Sequence, residues 1–191
     1  MSKKDEILNN IRLHTKETYE MPLIELDAIH YPDKLEQFIQ VSKSVGGNAV
    51  VLRENEEVNE LIRSLYPDAG KSASNVPGIN ATMNPDDVET PQELNGIDLG
   101  IIEGVFGVAE NGGVWVAQNV KERSLYFISE YLVILIDKDQ IVDNMHEAYK
   151  KAAFNAYGFG CFISGPSKTA DIEQALVVGA HGPKGLTVIL R

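Results

Sequence analysis

The feature that most constrains this chain is a change of hydrophobic period along it. Between residues 33 and 66, Leu35, Phe38, Ile39, Ser42 and Val45 recur at helical spacing. Asn48-Ala49-Val50-Val51-Leu52 then forms a short run, and Val58, Leu61, Ile62 and Leu65 return to helical spacing. A 3.6-residue period presents one stripe of a helix to a core, whereas a short continuous apolar run fits a strand. Helix, strand and helix in succession argue for an α/β fold, with a mixed or mostly parallel sheet flanked by helices. Gly46-Gly47 stops the first of these helices and Pro67 follows the second.

The rest of the chain fits that layout. Leu99 to Val108 and Val114 to Ala117 are two apolar segments joined by Ala109-Glu110-Asn111-Gly112-Gly113, a hairpin turn by its Asn-Gly pair. Tyr131 to Ile136 reads as a buried strand. Ile141, Val142, Met145, Ala148, Tyr149 and Ala152 form one helix stripe, with Asp139 near its start. Phe159 to Ser164 is a strand, a short helix is expected near Ala170 to Val177, and Leu186 to Leu190 is the last strand. Upstream, Ile7, Leu8 and Ile11 mark a narrow apolar stripe on a helix over residues 3–19, broken at Met21-Pro22. Thr90-Pro91-Gln92-Glu93 has the form of a capping box with proline at the first helical position. The division expected is an N-terminal helical extension over 1–25 and one α/β domain over 26–191. The N-terminal stripe has to rest on that domain or on a partner.

Charge and cysteine content narrow the function classes. The 191 residues carry 17 basic and 28 acidic side chains, a net charge of -11. Such a surface repels nucleic-acid phosphates and anionic membranes, while a local basic pocket can still hold a small anion. The one cysteine, Cys161, lies in an apolar run, where a buried thiol is the ordinary state. One thiol makes no intramolecular disulfide and cannot supply the ligands of an iron–sulfur cluster. No secretory apolar stretch follows the N-terminus, and Tyr131 to Ile136 is too short to span a bilayer. The expected compartment is the cytoplasm.

Two polar blocks near the C-terminus carry the densest chemistry. Ser164-Gly165-Pro166-Ser167-Lys168-Thr169-Ala170-Asp171-Ile172-Glu173 lies between a strand and a helix. Ser167, Lys168 and Thr169 suit an anion at a helix N-terminus, while Ser167, Thr169 or Asp171 equally suits a helix cap. The spacing is not that of a P-loop. In His181-Gly182-Pro183-Lys184-Gly185, His181 is either an acid–base group or a turn histidine bonded to backbone, and Lys184 adds a cation. Glu103 and Glu110 are acids beside glycines in apolar surroundings; each is a functional carboxylate or simply paired or exposed. Arg123 either binds a carboxylate bidentately or is a surface arginine. His14, His30, His146 and His181 are scattered, with no paired-histidine or CxxC spacing, so no metal site is expected. No GxGxxG follows a strand.

The second half of the chain resembles the LUD domain, the core of the lactate-utilisation protein C family. The resemblance rests on Gly107-Val108-Ala109-Glu110-Asn111-Gly112, on Gly165-Pro166-Ser167-Lys168-Thr169-Ala170-Asp171-Ile172-Glu173 and on Gly179-Ala180-His181-Gly182-Pro183-Lys184. It covers about residues 98–191, and the first half matches only in general layout. The chain departs from the family pattern in two places. Asn111 and Gly113 stand where threonines are usual, and Ile128-Ser129-Glu130-Tyr131 places a tyrosine where a histidine is usual.

The resemblance implies a fold similar to the NagB/RpiA/CoA-transferase group. It also implies a role in L-lactate oxidation beside companion proteins that carry iron–sulfur motifs, with no cofactor on this chain. The first functional reading is therefore an accessory subunit without iron–sulfur clusters in a multi-component system oxidising L-lactate to pyruvate. Glu110 and His181 would be its acid–base candidates. Arg123, Ser167, Lys168, Thr169, Asp171 and Lys184 would be its ligand-binding candidates. The alternative is a free-standing enzyme or binding protein of that fold, acting on an anionic phosphate, CoA ester or folate. A scaffold whose N-terminal helix docks a partner is the third reading.

Overall fold

In the computed structural model, residues 2–15, 17, 19–20, 26–152, 158–168, 178–179 and 181–191 are described. The elements run α1 (Lys3–His14), α2 (Lys34–Ser44), β1 (Asn48–Val51), α3 (Val58–Leu65), β2 (Ser72–Ala73), a 3-10 turn (Pro91–Leu94), β3 (Leu99–Glu103), β4 (Phe106–Val108), β5 (Gly113–Ala117), α4 (Leu125–Ile128), β6 (Tyr131–Ile136), β7 (Ile141–Val142), α5 (Met145–Lys151), β8 (Gly160–Ile163) and β9 (Gly185–Leu190). The strands form two sheets. One is five-stranded in the order β1-β9-β6-β3-β2, and the other is four-stranded in the order β7-β4-β5-β8. Every pairing in the first sheet is parallel. The second sheet is mixed, antiparallel at β4–β5 and β5–β8 and parallel at β4–β7. The fold is α/β with mostly parallel strands flanked by helices, as the hydrophobic period predicts.

Strand β6 shows why the layers form. Its residues Leu132 to Ile136 are at most 1% exposed, so both faces of the strand are buried, as in a central parallel strand. Because side chains alternate across a strand, Leu132, Ile134 and Ile136 enter one core and Val133 and Leu135 enter another. The second core is closed by Leu61 and Ile62 of α3. The first lies between the two sheets, with Phe38 of α2, Leu125 and Tyr126 of α4, and Val114 and Val116 of β5. A third core, around Phe106, Trp115 and Ala148, separates the second sheet from α5.

Local signals account for several boundaries. Helix α2 starts at Asp33, whose carboxylate accepts from the Glu36 amide, and ends in a Schellman motif at Val45. There the Gly46 amide donates to the Lys43 carbonyl and the Gly47 amide to the Ser42 carbonyl, with Gly46 at φ 86. The Thr90–Glu93 capping box is present, but it opens only a single 3-10 turn.

Three expectations change. The first helix ends at His14, with Thr15 as its C-cap, rather than reaching residue 19. The run Leu99 to Val108 is two strands in different sheets, separated at Gly104-Val105. Ile141 and Val142 form β7 beside Gly107 and Val108 instead of opening a helix; α5 starts after Asn144, whose side chain accepts from the Glu147 amide. The helix expected near Ala170 to Val177 lies outside the described residues. No helix among the described residues is long and apolar enough to cross a membrane.

Candidate functional site

The two C-terminal polar blocks meet through the backbone. The Ser167 amide donates to the Pro183 carbonyl at 2.9 Å, and the Gly179 amide donates to the Ser167 carbonyl at 2.9 Å. A β-bridge between Lys168 and Val178 continues this contact. Gly182 lies so close to Ser167 that a Cβ on it would come within 2.9 Å of the serine Cβ. Ser167 and His181 consequently line one cavity of about 230 Å³, walled by Tyr126, Phe127 and Phe162. His181 and Gly182 also border a larger cleft of about 410 Å³, which reaches Asp98, Ser129 and Lys184. That cleft lies at the amino ends of β3, β6 and β9. At the carboxyl ends, where ligands more often gather in open α/β sheets, Glu103 is ion-paired with Arg191.

The 164–168 loop is seated on the end of α2. Gly165 has φ 65, and a Cβ there would stand 2.8 Å from the Val45 carbonyl oxygen. The Lys168 ammonium donates to that same oxygen at 2.5 Å. It thereby satisfies one of the carbonyls that a helix leaves unbonded at its negative end. Ser164 donates from its hydroxyl to the Asn111 carbonyl at 2.8 Å. This ties the β4–β5 turn to the same loop. Gly112, at φ 67 in that turn, packs against Ser42 of α2, whose buried hydroxyl has no hydrogen-bond partner among the described residues.

Of the residues singled out from sequence, the structure brings Ser167 and His181 to the smaller cavity and Lys184 to the rim of the larger one. Lys184 is ion-paired with Glu130, and that carboxylate holds its ammonium protonated above the ordinary lysine range. Its amide also donates to the Glu130 carbonyl at 2.7 Å, fastening the start of β9 to the start of β6. Lys168 is not in the lining of the smaller cavity. Arg123 stacks on the Phe159 ring, 4.8 Å from its centroid. Glu110 accepts from the Met145 amide at 2.8 Å, at the N-terminus of α5 and away from both cavity linings. Thr169 and Asp171 lie outside the described residues. His181 makes no hydrogen bond to another described residue, and it lines the smaller cavity together with Ser167 and the aromatic residues around them. Sequence reasoning missed those walls: Tyr126 and Phe127 sit on a one-turn helix too short to show a period.

Comparison with known proteins identifies the family. The family model described as the LUD domain matches residues 78–190. Over 187 residues the chain is 29% identical to lactate utilization protein C of Anoxybacillus flavithermus, covering 94% of this chain and 75% of that protein. A 93-residue match to lactate utilization protein C of Halalkalibacterium halodurans reaches 41% identity, over 45% of this chain and 40% of that protein. The crystal structure of a DUF162 family protein from Deinococcus radiodurans superposes with a TM-score of 0.65 at 17% identity, covering 82% of this chain and 95% of that one. With the family model spanning more than half of its length, including both blocks that build the cavity, the chain belongs to the LUD domain family.

Proposed function

We propose that this chain takes part in lactate utilisation as an accessory subunit, without redox clusters of its own, of a system that oxidises L-lactate to pyruvate. The names of its relatives support the lactate role. With one cysteine the chain lacks the thiolates that an iron–sulfur cluster needs, so electrons removed from lactate would pass to clusters on companion chains. The expected site of action of this protein is the cytoplasm.

The single observation carrying the site assignment is that Ser167 and His181, from two separate blocks, line one cavity of about 230 Å³. That volume is below the 300–1,000 Å³ usual for drug-sized ligands, and it suits a metabolite of a few heavy atoms. The Ser167 hydroxyl would bond a carboxylate or hydroxyl oxygen, and His181 would hold the anion or exchange a proton with it. Among the described residues Lys168, Arg123 and Lys184 are already engaged, and the anion would fall to Ser167, His181 and the backbone.

Two measurements test the proposal at its two levels. A deletant lacking this gene and any paralogue should fail to grow on L-lactate as sole carbon source while growing normally on pyruvate; normal growth on lactate would remove the pathway role. Isothermal titration of the purified protein with L-lactate, pyruvate and inorganic phosphate tests the cavity. His181→Ala should weaken whatever binding is seen tenfold or more, and unchanged binding would place the ligand elsewhere.

A further inference from the structure

Away from the cavity, three metal-ligating side chains converge where the segment before α2 meets the start of α5. His30 Nδ1 lies 2.9 Å from Asp143 Oδ2 and 3.6 Å from Glu147 Oε1. The donor atoms of the three groups all lie within 4.8 Å of one another. Both carboxylates are fixed by their other oxygen. Asp143 Oδ1 accepts from the Tyr31 amide at 3.1 Å, and Glu147 Oε2 accepts from the Asp143 amide at 3.0 Å. Each acid therefore spends one oxygen on backbone and turns the second toward the same imidazole nitrogen. Outer hydrogen bonds of this kind hold the ligands of a metal site in place.

The geometry points to a site for one divalent first-row transition ion, held by His30, Asp143 and Glu147. With metal–ligand bonds of about 2.0–2.2 Å, adjacent donors of a coordination shell stand about 3.0–3.5 Å apart. The two distances from Nδ1 bracket that range, so a small side-chain rotation closes the shell. An ion would lie between Nδ1 and Oδ2, 2.9 Å apart, and its second charge would meet Glu147. The donor set is one imidazole nitrogen and two carboxylate oxygens. It lacks the thiolate that selects monovalent copper and the six to eight oxygens that calcium takes, and it suits Zn²⁺, Mn²⁺ or Co²⁺.

The surrounding charge fits a cation. Asp27, three residues before His30, adds negative charge there, and Lys34 adds positive charge at Asp143. Among the described residues the only ion-pair partner of Asp143 and Glu147 is His30. The His30 side chain is 65% exposed, so an ion can reach it from solvent, while Asp143 at 15% supplies the anchored face. Bound metal would fasten residues 27–31 to α5, alongside the existing bond from the Asn144 side-chain amide to the Ile29 carbonyl at 2.9 Å.

The test uses the full, untagged chain stripped with a chelator and then titrated with Co²⁺, followed by calorimetry and by visible absorption. Wild type should bind one equivalent, displaceable by Zn²⁺. His30→Gln and Glu147→Gln should each lower the affinity tenfold or more, while His14→Gln, on α1, should leave it unchanged. The variants alter exposed or half-exposed side chains, and circular dichroism of the metal-free proteins should show the wild-type melt. Absence of stoichiometric uptake by wild type, or uptake by His30→Gln equal to wild type, overturns the site.

Discussion

The two sheets are built on different terms. The parallel sheet is held by bulk: successive residues of β6 feed two separate cores and none from Leu132 to Ile136 is more than 1% exposed. The mixed sheet has short strands of two to five residues and depends on fit, with the Trp115 and Phe162 rings 4.9 Å apart and Gly107 against Phe38. Of the polar segments that line the cavity, residues 164–167 follow β8 of the second sheet and residues 181–183 lead into β9 of the first. The stable layer thus holds the chemistry in place without contributing many groups to it, in keeping with sites carried on loops over a rigid scaffold.

The sharpest way to challenge that contrast is Ile134→Ala. The Ile134 side chain is fully buried in the core shared by both sheets, and its truncation should cost about 2–5 kcal/mol of unfolding free energy. If the two sheets depend on one another through that core, chemical denaturation followed by circular dichroism and by Trp115 fluorescence should shift as one transition. Trp115 sits in the second sheet, so separate transitions by the two probes would show that the layers unfold independently.

A smaller effect is expected at the seam. A Cβ on Gly104 would come within 2.5 Å of Val114 Cγ1, 2.8 Å of Ile136 Cγ2 and 2.9 Å of Ile134 Cγ2. Gly104→Ala should therefore cost about 1–3 kcal/mol as an overpacking change. Trimming the nearest neighbour should return part of that loss, so Gly104→Ala with Val114→Ala should be less destabilised than the sum of the single variants in urea melts. Strict additivity would mean that the seam relaxes by backbone movement instead.

The same contrast governs what the amino-acid sequence reveals. The parallel sheet is legible because its signals are local: β6 is a continuous apolar run, β9 is apolar but for Thr187, and α2 carries both a helical stripe and a Gly-Gly stop. The second sheet hides its signals. Ile141 and Val142 fit a helical stripe with Met145 and Ala148, and only pairing with Gly107 and Val108 makes them a strand. Asn144, a good helix cap, is the local cue that α5 begins later. In the run from Leu99 the acid Glu103 before Gly104 is a local break, but it does not show that the chain changes sheets there, because the crowding comes from Val114, Ile134 and Ile136.

For the site, the composition of the two C-terminal blocks made Ser167 and His181 candidates. Composition alone does not show that Lys168 is drawn to Val45, 123 residues away in sequence. His30 and Asp143 stand 113 residues apart, so a search for ligand spacing passes over them.

The smallest effect belongs to Cys161 and probes the edge of the weaker layer. Strand β8 is an end strand of the second sheet, and Cys161 lies opposite Val116 with its side chain partly packed on the inter-sheet core. Burial disfavours the charged thiolate and pushes the thiol pKa above its ordinary value. Since the thiolate is the reactive form, iodoacetamide should alkylate the native protein more slowly than the urea-unfolded chain at any pH near neutrality. The linkage has a definite sign. The native thiol keeps its proton to higher pH than the unfolded one, so this group's contribution to stability is complete below the ordinary thiol range and is lost as pH rises through the native value. Alkylation at the unfolded rate under native conditions would mean that β8 leaves its place beside β5 often enough to expose the thiol. The fit that holds the second sheet would then be looser at this edge than the close packing of Trp115 on Phe162 implies.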